Sequence, residues 1–303
     1  MNVRHADLET GAAPSAHDAA EVAQHAAAHD EADAHPAATN DVRNARLVGG
    51  LSAGNRDRLM NIASPVLLLI LWEIAVRVGL LDARFFPAPS QIFDTLVTLI
   101  KNGQLWNNTW ASLQRLFWGA LLGGIPALLL GIAMGLYRPL RALIDPLVSA
   151  TYPVPKSAIM PLILLIFGLG EASKIVMVAI GVFYPVLINA VAGVREINKV
   201  YLDVGQNFGA GRWQVFRTIA LPGALPLIMS GVKLGIGMGL ILIAIAEMVG
   251  AKSGLGYMIW NAWEVLSVEQ MYVGLLTIAL LGFVFTLLLN EIEHVLVPWR
   301  AQR

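Results

Sequence analysis

The chain has 303 residues, 56% of them hydrophobic and 14% charged, with a formal net charge of zero. Ordinary soluble domains are roughly 25% charged, so a soluble fold of this length is excluded for want of surface charge, and the balanced total gives no footing for a nucleic-acid partner. Cysteine is absent, which excludes a disulfide framework, a thiolate metal site and a thiol nucleophile.

Residues 1–57 differ from the rest of the chain. They are rich in Ala, His, Asp and Glu and hold His5, His17, His25, His29 and His35, five of the six histidines. Such a segment buries too little apolar surface to offset its ordering entropy, and it lacks the apolar core of a signal peptide. It is expected to be a disordered cytoplasmic tail. Histidine beside aspartate can hold zinc or nickel, but the irregular spacing speaks against a metal-binding arm.

Residues 58–303 are expected to form an all-α membrane domain with six spans of ~20 apolar residues each. The first covers residues 62–81 and carries Glu73 and Arg77; the second covers 113–136 and ends at the basic turn YRPLR. Between them Pro87 and Pro89 interrupt the chain. Ser90 is placed to cap an interfacial helix with Ile92, Leu96, Leu99 and Ile100 on one face. The third span, 143–167, is broken by proline. The fourth, fifth and sixth are expected at 175–194, 225–249 and 272–297. Arg56, Arg58, Arg138, Arg141, Arg195, Lys199, Arg212, Arg217, Arg300 and Arg303 then fall on one side. Arg84, Lys101, Lys174 and Lys252 fall on the other, so both termini are expected in the cytoplasm. Gly119 with Gly123, Gly131 with Gly135, and Gly231, Gly235 and Gly239 recur at the spacing of close helix contact. Packing within one bundle and a subunit interface both fit these rows.

The fourth and fifth spans are joined by DVGQNFGAGRWQVFRTIALP, residues 203–222. It reads as two short helices. Asp203 is placed to cap the first, with Gln206 at capping-box spacing. Gly209 and Gly211 suit a break. The second begins near Arg212, aligns Trp213, Phe216 and Ala220, and is expected to stop at Pro222. The result is an amphipathic elbow on the cytoplasmic face. It could rest on lipid headgroups or dock into a partner.

The order Asp203, Val204, Gly205, three residues, Gly209, nine residues, Ile219, Ala220, Leu221, Pro222 resembles the EAA motif of ABC-importer permeases. That motif reads Glu-Ala-Ala, three residues, Gly, nine residues, Ile-x-Leu-Pro. The Gly and the Ile-x-Leu-Pro end match in place, while the head departs: Asp, Val and Gly stand for Glu, Ala and Ala. The flanking strings FFPAPSQIF, YPVPKSAIMPLILLIFGLGEASKI and AEMVGAKSGLGYMIWNA look like the nitrate/sulfonate/taurine branch of these permeases. The resemblance covers roughly residues 62–300.

This resemblance implies a type I ABC-importer-like fold in the bacterial cytoplasmic (inner) membrane, with the elbow as cytoplasmic coupling helix. Asp203, Gly205 and Gly209 would shape its first half, and Arg212, Ile219, Leu221 and Pro222 its second. Phe208, Trp213 and Phe216 would be contact or buttressing groups. The chain would be a transport subunit, not an enzyme, with no catalytic residue, metal or cofactor of its own. It has no GxxxxGK[ST] loop; GLGEASK and GAKSG fail on spacing. ATP and magnesium would therefore sit on a separate ATP-binding subunit. A periplasmic solute-binding protein and a second copy of the chain complete the implied assembly. The cargo would be a small oxyanion: sulfonate, taurine, nitrate or similar. Ionisable groups within spans suggest function, so Lys156, Lys233 and Glu247 are the candidates for the path, with the two lysines suited to an oxyanion. An ion-coupled secondary transporter is the alternative, but inverted repeats are not visible. A membrane enzyme would need a nucleophile or metal cluster, and His294 is the one histidine outside the tail.

Overall fold

The computed structural model describes residues 53–298; the side chains at 53–62 and those of Lys199, Leu202, Gln206 and Arg212 lie outside that description. The expected tail is therefore outside it too, apart from residues 53–57, which open a helix. The chain divides into two compact units, Met1–Leu68 and Leu69–Arg303. What is described of the first is one helical segment, which runs on into the second as α1, Ala53–Arg77.

In the second unit α2 covers Pro89–Lys101, α3 Gln104–Leu136 and α4 Arg138–Thr151. A 3-10 turn, Lys156–Ile159, leads into α5, Met160–Phe167. Then come α6, Glu171–Arg195, α7, Lys199–Asn207, and α8, Arg212–Val215. A π turn, Phe216–Ala220, joins α8 to α9, Leu221–Met248. The chain closes with α10, Leu255–Glu264, and α11, Val268–Leu296. Every regular element described is helical.

Four stretches are long and apolar enough to cross a membrane: α3, α6, α11 and the continuous run Trp213–Met248. The pair α4 and α5, bent by 86°, counts as a fifth. Packing shows why it must cross. Gly119 faces Val178, Gly131 faces Ala190 and Gly135 faces Val194, so α3 and α6 are parallel neighbours. From Arg115 to Gly135 the helix rises about 30 Å. The chain has to climb back over that distance to begin α6, and α4 and α5 are the segment that does so. The bend itself follows from Pro153 and Pro155, which cannot continue a helix.

The sixth expected span is not reached by the same measure. The charge-free part of α1, residues 59–72, is only 14 residues long, or about 21 Å of helix, against a hydrocarbon core of ~30 Å. Residues 66–71 are nonetheless all exposed Val, Leu and Ile. The interfacial helix appears as α2, with Ile92 and Leu99 buried and Leu96 packed beside them, but Ile100 is exposed. Ser90 is not its cap. The helix starts at Pro89, and Ser90 donates both its backbone N–H (3.1 Å) and its hydroxyl (2.9 Å) to Glu73 of α1.

The glycine rows lie inside this one bundle. Gly123 meets the backbone of Ala179, Gly231 meets Asn189, and Gly235 and Gly239 meet Val182. Without a hydrophobic drive between helices in lipid, this close backbone approach is the main source of helix association. Gly123→Val should therefore be lost from the folded pool, because its side chain must displace the Ala179 carbonyl, a cost of about 3 kcal/mol. Gly237→Ala, where an added Cβ meets open space, should melt within about 1 kcal/mol of the parent. Thermal unfolding in detergent, followed by size-exclusion chromatography, checks both.

Candidate functional site

The polar stretch at 203–222 folds as an elbow, though its ends differ from expectation. α7 begins at Lys199, and its cap is Asn198, whose side chain accepts the N–H of Val200 at 3.0 Å. Asp203 is thus inside the helix and exposed, four residues past the start. The helix ends where Gly209 takes φ +72°, the left-handed conformation glycine reaches at no steric cost. Phe208 precedes that turn and stands 88% exposed.

The second half does not stop at Pro222. α8, the π turn and α9 run on as one rod with Pro222 inside it. The π turn absorbs the proline: the Leu221 N–H bonds to the Phe216 carbonyl instead. Trp213, 71% exposed, stacks on Phe216 with ring centroids 5.1 Å apart. Ala220 is fully buried against the bundle. Gly205, which departs from the motif, has a local reason. A Cβ there would lie 2.8 Å from Ile219 Cδ1, so the two halves of the elbow close on each other at this point. The elbow thus brings Gly205 against Ile219 and stacks Trp213 on Phe216, while Asp203, Phe208 and Gly209 stand outward; the Arg212 side chain lies outside the described residues.

The three charged candidates of the spans have unlike surroundings. Glu247, on α9, is 0% exposed. It pairs with Arg115 of α3 (Nη1 to Oε1, 2.7 Å) and accepts the Ser112 hydroxyl at 2.8 Å and the Gly256 N–H at 2.9 Å. Lys233, also on α9, pairs with Glu293 and donates to Asn290 of α11 at 2.5 Å. It lines an open cavity of about 550 Å³ together with Ser230, Glu291 and His294. Lys156 sits at the break between α4 and α5 and donates to three backbone carbonyls.

Arg115 escaped the sequence reading, although the rule that selects Glu247 selects it too: it is a charge within an expected span. All five of its N–H donors are used. Nε and Nη2 take the two oxygens of Glu171 at 2.5 and 2.8 Å. Nη1 reaches Glu247 and the Ser253 carbonyl, both at 2.7 Å, and Nη2 reaches the Ser253 hydroxyl at 3.0 Å. Around this centre the first N–H groups of α10 are received by side chains of other helices: Gly254 by Asn108, Leu255 by Ser112, Gly256 by Glu247. Only the sequence separation hid the cluster, since Arg115 and Glu247 are 132 residues apart.

Breaking such a buried pair from one side leaves an uncompensated charge and costs about 3–5 kcal/mol, whereas apolar replacement of both partners recovers most of it. Arg115→Met should lower the thermal midpoint in detergent far more than the double variant Arg115→Met with Glu247→Met. A double variant no more stable than the single one would refute the pairing.

Residues 127–302 match the family model described as binding-protein-dependent transport system inner membrane component. The chain is 35% identical over 256 residues to the taurine transport system permease protein TauC of Escherichia coli (strain K12), covering 82% of this chain and 92% of that one. It is 31% identical over 236 residues to the putative aliphatic sulfonates transport permease protein SsuC of Bacillus subtilis (strain 168), covering 78% and 86%. Among solved structures it is similar in fold to a chain of the inward-facing MetNI methionine ABC transporter, with TM-score 0.51 and 20% identity, covering 62% of this chain and 93% of that chain.

Proposed function

The chain belongs to the binding-protein-dependent transport system inner membrane components, and from that premise we propose how it works: as the permease subunit of an ABC importer, it passes a small sulfonate-type oxyanion and is driven through the elbow at 203–222. The secondary-transporter alternative has no support in the fold or the relatives.

The observation that carries the coupling reading is the exposure of Phe208 and Trp213 on a short, Gly-turned element. Aromatic groups held out on rigid backbone are the anchors of protein interfaces. A separate ATP-binding subunit, holding ATP and magnesium, is the proposed occupant. Both termini and the elbow then face the cytoplasm, where Arg138, Arg195 and Arg217 also lie. The Arg115–Glu247 cluster faces the opposite side, toward a solute-binding protein. A second copy of the chain completes the path. Lys233 is the path candidate best placed to meet water, because its cavity is open and polar. Glu247 is sealed by its partners and serves as an anchor for α10.

Gly209→Asp tests the coupling role. An added Cβ meets nothing within 4 Å, and aspartate tolerates the left-handed conformation at roughly 1 kcal/mol, so the chain should fold and insert. Uptake of a sulfonate by cells carrying the whole system should fall at least about tenfold, the effect of 1.4 kcal/mol at a contact. Less ATP-binding subunit should also be retained by the tagged chain in mild detergent. Normal uptake together with normal retention would refute the elbow as the coupling element.

A further inference from the structure

The break between α4 and α5 weakens the bonding of its carbonyls: that of Thr151 keeps one long backbone bond, from the Val154 N–H at 3.3 Å. Thr151 would bond to the N–H of residue 155 in a continuing helix, but Pro155 has none. The Lys156 ammonium fills the gap. Its Nζ lies 2.9 Å from each of the carbonyl oxygens of Thr151, Tyr152 and Val154. The same ammonium sits 4.1 Å from the centroid of the Tyr184 ring on α6 and 5.8 Å from that of Tyr152. Three carbonyls and two aromatic rings converging on one point are the recognition chemistry of an ammonium ion. The negative end of α4 adds to it.

Two further facts separate this arrangement from an ordinary helix cap. The residues of the cage, 151–155, are exposed, and Lys156 itself is only half-buried, so the rest of the described chain does not seal the cage. Among the described ion pairs, none neutralises Lys156. Its positive charge is met by dipoles and rings, not by a carboxylate. An anion approaching the mouth therefore finds an uncompensated cation, on a flexible stem of four methylenes that can leave its seat.

We propose that the carbonyls of Thr151, Tyr152 and Val154 with the ring of Tyr184 form an ammonium site for a zwitterionic sulfonate, and that Lys156 occupies it in the substrate's place. This rests on the sulfonate reading above and sharpens it to an amino-sulfonate. As substrate arrives, its sulfonate pairs with the Lys156 ammonium and draws it out of the cage. The substrate's own ammonium enters. Charge is conserved at each position: one cation remains in the cage, and the displaced lysine carries the sulfonate. A sulfonate without an amine could draw on Lys156 but would leave the carbonyls empty, at the cost of their hydrogen bonds.

The test compares uptake of taurine with uptake of ethanesulfonate, which has the same carbon count and sulfonate but lacks the amine. Cells express the chain together with its ATP-binding subunit and solute-binding protein. Tyr184→Leu should lower the taurine-to-ethanesulfonate ratio about tenfold, and Tyr184→Phe should restore it, because the ring suffices. Lys156→Met, which removes the competing ammonium, should raise the ratio even where total uptake falls. If Tyr184→Leu does not reach the membrane, Tyr152→Leu, at an exposed position, should move the ratio the same way by less. An unchanged ratio in these variants, with wild type moving both solutes, overturns the ammonium site alone. Wild type that moves neither overturns the sulfonate reading, and the ammonium site falls with it.

Discussion

One guanidinium organises one end of this bundle. Arg115 is buried on a helix that crosses a membrane, where unsatisfied donors have no water to turn to. Each of its N–H groups must find an acceptor in the protein. The acceptors come from Glu171 at the start of α6, Glu247 near the end of α9 and Ser253 in the turn beyond. That requirement brings the start of α3, the start of α6 and the end of α9 to one place. It leaves Gly254 and Gly256 no room for side chains, because a Cβ on either would run into Glu247 or the Ala244 carbonyl. The turn into α10 is thereby specified by a charge on another helix.

The parallel run of α3 and α6 has a second consequence. Parallel neighbours require a return crossing, and the chain makes it with two helices broken by proline. The break frees carbonyls inside the membrane domain, and these need a donor. Lys156 is that donor, one position after Pro155. The same proline pair that sets the route also creates the polar point at which a cation is held. Route and chemistry are one constraint here, expressed by six residues, 151–156.

Much of this was legible in the chain. The apolar runs located α3, α6, α9 and α11, and the prolines announced the bent crossing. The spacing from Asp203 to Pro222 marked the elbow. Local capping was misread because nearer or stronger acceptors won: Asn198 replaced Asp203, and Glu73 took the donors of Ser90. Pro222 was misread as a stop because a π turn can re-register the carbonyls ahead of it, which no propensity foretells. The Arg115 centre was invisible for a different reason. Its partners are set by tertiary packing, and neither periodicity nor motif records which helix ends meet.

The elbow and the Arg115 cluster lie on the same rod. From Trp213 to Met248 the helix is continuous over 36 residues, about 54 Å at 1.5 Å per residue. At one end it carries the stacked Trp213 and Phe216; near the other it carries Glu247, locked to α3 and, through Arg115, to α6. On the coupling role proposed for the elbow, a displacement there cannot be absorbed by a hinge at Gly209, since that turn lies ahead of the rod. It must move α9 as a body. The Arg115–Glu247 pair then obliges α3 and α6 to move with it, and α5 follows through its packing on α6. The Lys156 cage spans this moving set, with Tyr184 on α6 and its carbonyls at the end of α4. A shift of α6 relative to α4 would open or close the cage, which joins the force at one face of the membrane to the held cation within it.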